Sequence, residues 1–325
     1  MADVVLSGGV DMAIEHLTST AGTGGTTTSS NSMTGGQNEY SNIAVTATED
    51  LGGGLTAKAF IDVGVMYSES GGADFTREVY VGISGNDFGT IRMGRMLDPL
   101  FLAFAANEPN GAPNIRTGNE GMNSIVLLQG VRSARRSQMA MYETPAIGGA
   151  KINIQYATEN GSTWGESVGA GISFGAGAFK ANYQYESSKD EGVLDYYSSN
   201  TSEQADTAIS ATSSTDSTKR QVLALGYDLG VAKLGFTSAK AEHTTVSATG
   251  NQISVGIPLG AWTLSTAYHK ATMTYNSTDY VTTGTMTRAK YDFSKRTATY
   301  IILGVQEYAN GSKDTRTQVG IMHNF

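Results

Sequence analysis

The sequence is short of cysteine, charge and long apolar runs. Its 325 residues contain no cysteine, which excludes a disulfide scaffold, cysteine-ligated zinc and thiol catalysis. Charged residues make up 16% of the chain, against about 25% in a typical soluble domain. No segment approaches the ~20 apolar residues that a membrane helix needs, and residues 100–106 are among the longest apolar runs. A helical membrane protein is therefore excluded.

The charge balance and the motifs exclude further classes. The 30 Asp and Glu outnumber the 22 Lys and Arg, and the net charge of −8 argues against a nucleic-acid partner. The four histidines show no metal-ligand spacing. We expect no enzyme, no metal site and no cofactor. Met1 directly precedes a strand-like segment, which we interpret as a mature N-terminus with an added start methionine.

Alternation of apolar and polar residues recurs along the whole chain. It is clear in residues 55–65, 151–156, 179–186 and 232–237, and each of these segments is a predicted half-buried strand. Around residues 299–305 both faces are apolar, and the pattern does not separate an inner from an outer face. The chain therefore belongs to the all-β class.

Short turns and long polar segments divide the strands. Seven short turns rich in Gly or Asp lie at residues 50–54, 85–89, 144–149, 174–177, 228–230, 258–260 and 292–296. The notable longer polar segments are residues 15–38, 188–218 and 271–284. Seven hairpins pair fourteen strands, and a first and a last strand that meet bring the number to sixteen. This pattern predicts a 16-stranded antiparallel transmembrane β-barrel.

A soluble sandwich of two sheets is the alternative, because alternation alone fits it equally well. Two details favour a barrel in lipid. The polar face carries charged residues in mid-strand, such as Lys58 and Asp62, as a water-filled lumen allows. The apolar face ends in aromatic residues, such as Trp262 and Tyr291, as the interfacial girdles of membrane barrels do.

Seven segments in order along the chain resemble the trimeric general porins of Gram-negative outer membranes, nearest to the neisserial and other beta-proteobacterial branch. They are residues 6–11, 48–55, 75–82, 88–95, 142–145, 291–297 and 319–325. The resemblance implies one porin domain over residues 1–325, located in the outer membrane. It also implies a homotrimer, contacts with outer-membrane lipid and lipopolysaccharide, and passage of small hydrophilic solutes.

The last strand ends in an aromatic residue. Alternation places Thr317, Val319, Ile321, His323 and Phe325 on one face of it. The resemblance implies that this segment, with Phe325 at its end, is the signal read by the barrel-assembly machinery. A hydrophobic last strand without a recognition role is the alternative.

One long segment differs from the other loops. Residues 96–133 lie between two predicted strands and include the apolar run 100–106, which a fully solvated loop does not need. The resemblance implies that this third loop folds into the lumen and narrows it as a constriction loop, its apolar run packed on the inner wall. An external lid or an adhesin loop is the alternative.

Charged residues cluster around this loop. The resemblance implies a constriction in which wall arginines face loop carboxylates, and guanidinium suits this role because it stays charged. Arg77 and Arg135 match two arginines of the family. The basic candidates are Arg77, Arg92, Arg95, Arg132, Arg135 and Arg136, and the acidic candidates are Asp98, Glu108 and Glu120. Ordinary solvated charges are the alternative for each of them.

One departure from the family weakens the expected basic wall. Family members of this branch commonly carry arginines in the second strand, where this chain has Asn42 and Thr46. We therefore predict a general diffusion pore with a mild anion preference. A substrate-selective channel with a weak solute-binding site is the alternative, and an adhesin or structural barrel is less favoured.

Overall fold

The computed structural model describes residues 3–22, 24–35, 38–39, 41–65, 73–109, 134–158, 165–189, 217–244 and 246–325. The strands are β1 (Asp3–Thr20), β2 (Thr27–Gly35), β3 (Asn42–Gly52), β4 (Leu55–Val65), β5 (Ala73–Gly85), β6 (Gly89–Leu97), β7 (Arg135–Glu143), β8 (Ala150–Ala157), β9 (Ser167–Ala176), β10 (Phe179–Ser188), β11 (Thr218–Asp228), β12 (Lys233–Glu242), β13 (Val246–Leu259), β14 (Trp262–Tyr275), β15 (Thr278–Asp292), β16 (Thr297–Glu307) and β17 (Lys313–Asn324). One helix, α1 (Pro99–Ala105), lies within these ranges. None of the helical structure described is both long and apolar enough to cross a lipid bilayer.

The strands form one closed antiparallel sheet. β1 closes it by pairing with β17, from Gly9 opposite Asn324 to Thr20 opposite Lys313. β2 and β3 share one position in the sheet, because β2 pairs with residues 12–20 of β1 and β3 pairs with residues 3–9. Seventeen strands therefore occupy sixteen positions of a β-barrel, and the predicted strand number is confirmed.

All seven predicted short turns join consecutive strands at one end of the barrel. The two termini meet at the same end, where Gly8 and Phe325 exchange backbone hydrogen bonds of 3.1 and 2.9 Å. The turn between β3 and β4 contains Gly52, Gly53 and Gly54 at φ values of 79°, 60° and 79°. Only glycine adopts such values without strain, which explains why this turn is readable in the sequence.

The prediction of long polar loops is wrong at two places. In residues 271–284, β14 continues to Tyr275 and β15 begins at Thr278. The turn between them is only Asn276 and Ser277, both with positive φ, as a tight hairpin needs. The threonine-rich flanks have high β-propensity, so they extend the hairpin beyond its apolar part.

The second place is residues 15–38, where β1 continues to Thr20 and β2 begins at Thr27. Hydroxyl groups pair across these strands, with 3.0 Å between Thr20 and Thr27. Such cross-strand hydroxyl pairs stabilise the part of a sheet that has no apolar face to bury. In residues 188–218, β10 ends at Ser188 and β11 begins at Thr218, and residues 190–216 lie outside the described ranges.

Side chains alternate between an exposed apolar face and a buried face with many polar groups. Ile14, Ile253 and Ile321 are 64%, 59% and 56% exposed on the outer face. Beside the short turns, the Trp262 and Tyr291 rings lie 4.9 Å apart on that face. An apolar outer face with an aromatic cluster at its edge is typical of a barrel surrounded by lipid, so we call the opposite face inward.

Candidate functional site

The helix α1 lies against the inward face of the barrel. Asp98 caps it, since its Oδ1 accepts a hydrogen bond of 2.9 Å from the backbone N–H of Leu100, and Pro99 suits the first turn. Leu100, Ala103 and Phe104 are buried in one apolar cluster with wall residues. The wall members of the cluster are Val222, Ala239, Ala241, Val246, Ala248, Ala271 and Met273.

Polar contacts attach the chain to the wall directly after α1. The Asn107 Nδ2 donates to the backbone carbonyl of Ala224 at 2.9 Å. The Glu108 Oε2 accepts from Gln252 Nε2 at 2.5 Å. The candidate carboxylates Asp98 and Glu108 are both buried, and they lie at the two ends of this helical segment.

Glycines of the wall make room for this attachment. A Cβ on Gly235 would lie 2.7 Å from the carbonyl oxygen of Asn107, and one on Gly256 would lie 2.9 Å from Pro109 Cβ. Such distances are shorter than van der Waals contact, so these inward glycines permit the close approach of the loop backbone.

Arg136 joins the loop to a buried charge cluster on the wall. Its Nη2 lies 3.1 Å from Glu186 Oε1 and its Nε lies 3.7 Å from Asp98 Oδ2. Glu186 also contacts Arg220 at 3.5 Å and accepts from Gln155 at 3.3 Å. The side chains of Glu186 and Arg220 are fully buried, and paired charges with additional hydrogen bonds are what burial requires.

A bulge in β7 brings Arg136 inward. The pairing of β6 with β7 shifts from Gly94 opposite Met139 to Met96 opposite Arg136, so β7 carries one extra residue. Gln138 at this point has a φ of 52°. Bulges commonly redirect side chains in this way, and a regular alternation read from the sequence misses them.

Arg77 pairs with the wall. Its Nε lies 2.8 Å from Asp62 Oδ2, and Asn42 Nδ2 donates to Asp62 Oδ1 at 2.7 Å. Arg77 and Asp62 are both buried. Asn42, which stands where the branch commonly has an arginine, therefore satisfies the second oxygen of a carboxylate that holds Arg77.

Arg92 and Arg95 lie on opposite faces of β6. Arg92 is on the inward face, with its guanidinium carbon 5.9 Å from the centre of the Tyr80 ring. Arg95 follows the alternation of the exposed residues Ile91 and Met93, and its Nη1 donates to Ser137 at 2.8 Å. The alternation of β6 thus separates two arginines that the sequence grouped together.

The three remaining candidates are Arg135, Arg132 and Glu120. Arg135 is buried beside Leu97 at the start of β7. Arg132 and Glu120 lie outside the described residues, and their roles remain predictions. Within the described ranges, no group of three or more His, Cys, Asp or Glu is placed to hold a metal ion.

A second inward element lies at the interruption between β2 and β3. The backbone N–H groups of Asn38 and Glu39 donate to Asp11 Oδ2 at 2.7 and 2.8 Å. Tyr300 donates to the other oxygen of Asp11 at 2.5 Å, and Arg288 donates to Asn38 Oδ1 at 2.6 Å. We call residues 38, 39 and 41 the inward segment. No pattern in the sequence predicts it.

Several charged residues of the inward wall were also missed. Glu186 and Arg220 belong to the Arg136 cluster, and Glu15 lies 3.2 Å from Arg316 in a further buried pair. Alternation along a strand such as β11 could have shown that these charged residues lie on its polar face. It could not have shown which residues pair across strands, because that depends on the register of the sheet.

Phe325 lies where the sequence places it, on the exposed face of the chain end. Val319 and Ile321 share that face at 53% and 56% exposure. A Cβ added to Gly8 would lie 2.9 Å from the tip of the Phe325 ring, so the ring rests over glycine. This packing and the two backbone hydrogen bonds join the C-terminus to β1.

Comparison with known proteins agrees with this geometry. A model of the Gram-negative porin family matches residues 1–311. The chain is 24% identical to the major outer membrane protein P.IB of Neisseria gonorrhoeae, over 100% of this chain and 95% of that protein. It is 32% identical to outer membrane porin protein 32 of Delftia acidovorans, over 40% of this chain and 38% of that protein. Its fold is similar to that of an anion-selective porin from Comamonas acidovorans, with a TM-score of 0.76 and 22% identity over the whole of both chains.

Proposed function

Because this chain belongs to the Gram-negative porin family and is an outer-membrane β-barrel channel, we propose that it lets small hydrophilic solutes and ions diffuse passively, with a mild anion preference. The observation that carries the proposal is the closed barrel with an apolar outer face and a charged inward face, against which α1 packs. We propose residues 96–133 as the constriction loop.

The constriction that we propose lies between α1 and the wall arginines. Asp98 and Glu108 supply loop carboxylates, and Arg77, Arg92 and Arg136 supply cations. Arg77 and Arg136 contribute less positive potential to the lumen than Arg92 does, because they are paired with buried carboxylates. Arg95 is left out of this proposal because it follows the exposed face of β6. Arg135 is left out as well, because its register partner Leu97 belongs to the same face.

The anion preference rests on Lys58 and Arg92. Both face inward, and both lie over aromatic rings, which leaves their charge available to a passing ion. The similar structure from Comamonas acidovorans is that of an anion-selective porin, which supports this sign. The preference stays mild because Asp62 and Glu186 balance neighbouring cations and because Asn42 and Thr46 add no positive charge.

The partners are proposed from the family and the outer surface. We propose a homotrimer in outer-membrane lipid and lipopolysaccharide, and assembly through recognition of the strand that ends in Phe325. The exposed apolar residues of β1 and β5, such as Leu6 and Val81, supply a surface for the trimer contact.

The sign of selectivity is measured from reversal potentials of the purified protein in a planar bilayer under a KCl gradient. We expect chloride to be preferred in the parent and Arg92→Gln to shift the preference towards potassium. A unit charge about 6 Å from an ion in water is worth about 0.7 kcal/mol, so a change of up to about threefold in the permeability ratio is expected.

Lys313→Gln is the matched control, because Lys313 lies outside the lumen and pairs with Glu307 at 3.0 Å. We expect it to leave the permeability ratio within error of the parent. A larger shift in Lys313→Gln than in Arg92→Gln would show that the assigned cations do not set selectivity. A protein without conductance would instead favour the structural-barrel alternative.

A further inference from the structure

An aromatic pair lies on the inward face of β4 and β5. Phe60 and Tyr80 are direct cross-strand partners, and their ring centres are 5.2 Å apart. Their neighbours Ile61 and Val81 are 46% and 58% exposed on the outer face, which places the two rings on the inward side. Aromatic rings on this side are not needed for contact with lipid.

Two cations lie over these rings. Lys58 Nζ is 5.1 Å from the centre of the Phe60 ring and 5.7 Å from that of Tyr80. Arg92 lies over Tyr80 at 5.9 Å. Lys58 and Arg92 are both register partners of Gly82, so no side chain separates them on the inward face. We call Lys58, Phe60, Tyr80 and Arg92 the cation–aromatic patch.

The patch adjoins a cavity between the wall and α1. The cavity has a volume of about 340 Å³, within the range of small-molecule sites. Its lining includes Arg92, Met141, Asn153, Gln184, Leu102 and Ala105. One cation and three amides, those of Asn153, Asn182 and Gln184, thus share a cavity with a methionine and with the exposed side of α1, where Leu102 is 40% exposed. Glu143 also lines the cavity, and its carboxylate pairs with Lys151 at 2.9 Å.

We propose that this cavity and the cation–aromatic patch bind small aromatic monocarboxylates during their passage through the channel. The carboxylate pairs with Arg92, whose planar guanidinium suits a two-oxygen anion. The ring of the solute lies against Leu102 and Met141, since sulfur and aliphatic groups pack well on aromatic faces. Lys58 attracts the anion towards the patch.

We expect the binding to be weak, because a solute that passes through a channel has to leave the site as readily as it enters. This inference rests on the proposed diffusion function and adds a solute class to it. A solute with charge but no ring loses the apolar contacts, and a solute with a ring but no charge loses Arg92.

The test uses single-channel KCl current of the full chain in a planar bilayer, with benzoate as the probe. Acetate supplies the charge without the ring, and benzyl alcohol supplies the ring without the charge. We expect benzoate to reduce the current with saturation at millimolar concentration, and the other two solutes to produce no saturable effect. Equal effects of benzoate and acetate would overturn the inference.

Variants locate the site. Arg92→Gln is expected to raise the half-saturating benzoate concentration about tenfold, because it removes the charge-assisted contact. Tyr80→Leu is expected to raise it by less, because the Tyr80 ring only holds Arg92 in position. Lys290→Gln is the matched control, since it removes an inward cation of β15, a strand that contributes no residue to this cavity, and we expect a change of less than about twofold. Equal effects in all three variants would place the binding elsewhere.

The outcomes separate this inference from the proposed function. If the parent shows no KCl conductance, the diffusion function itself is wrong. If KCl conductance is normal but benzoate behaves as acetate does, only the aromatic-carboxylate site is wrong. If a variant does not assemble, the comparison of the three solutes on the parent protein still decides whether the site exists.

Discussion

Glu186 shows how one residue organises the inward wall. Its carboxylate contacts Arg136 from β7 and Arg220 from β11, and Gln155 from β8 donates to it. A buried carboxylate with two guanidinium partners is stable only while all of its contacts persist. Because Arg136 also approaches Asp98 at the start of α1, the same cluster positions the loop.

We expect Glu186→Gln to destabilise the barrel by about 3 kcal/mol, since it leaves two buried guanidinium groups with less compensating charge. Urea-induced unfolding in detergent or lipid measures the loss. Glu307→Gln is the control, because Glu307 pairs with Lys313 on the exposed surface and such pairs contribute less than about 1 kcal/mol. Equal losses in both variants would show that the cluster has no special role.

At the scale of elements, β2 and β3 share one position of the barrel beside β1. The chain between these two strands forms the inward segment. Asp11 holds two of its backbone N–H groups, and Tyr300 and Arg288 add contacts from β16 and β15. The segment therefore occupies part of the lumen beside β15–β17, whereas α1 packs on β10–β14. We propose that both elements reduce the free cross-section of the lumen.

We expect Asp11→Ala to release the inward segment, because it removes the acceptor of both backbone N–H groups. Single-channel recording should show a higher mean conductance and larger current fluctuations, and unfolding should show a loss of about 2 kcal/mol, typical of hydrogen bonds to a charged group. Asp50→Ala, which removes only the turn contact to Gly52 N–H, is the control and should conduct as the parent does. Unchanged conductance in Asp11→Ala would show that the inward segment does not restrict the lumen.

Most elements were predictable because their turns carry distinctive residues. All seven short turns contain Gly or Asp where the backbone needs them, and the strand number followed from these turns. The hydroxyl-rich extensions of β1, β2, β14 and β15 were not predicted, because they lack apolar alternation and read as loops. Their stability comes from cross-strand pairing, which a single segment does not reveal.

The candidate site was less predictable than the fold. The arginines Arg77 and Arg136 were identified, but their wall partners Asp62 and Glu186 were not, because pairing depends on register. The extra residue near Gln138 changed which face of β7 Arg136 occupies. The two apolar faces at residues 299–305 also have a structural reason, since Ile302 packs inward with Met286 and Ala13.

At the scale of the whole molecule, the net charge and the inward charge are separate quantities. The chain carries a net charge of −8, yet many inward carboxylates are paired with arginines. Charges at the lumen act on a passing ion at short range, whereas distant ones are screened over about 8 Å at physiological salt. Whole-chain charge is therefore a poor guide to selectivity.

The proposed trimer is tested by changing the outer face at two places. Val81 on β5 and Ile154 on β8 are 58% and 54% exposed, and each lies four residues from the short-turn end of its strand. We expect Val81→Arg to convert trimers to monomers in mild detergent, because it places a charge in the proposed contact between subunits. Native mass spectrometry measures the change.

Ile154→Arg is the matched control, since it introduces the same charge at a similar depth on a part of the wall that the proposal assigns to lipid. A charged residue on a lipid-facing surface costs about 2–4 kcal/mol at the bilayer midplane, but it does not break a contact between subunits. We expect the trimer mass in this variant. Monomers in Ile154→Arg and trimers in Val81→Arg would place the contact on the opposite wall, and a conducting monomer of the parent protein would show that the channel does not need the trimer.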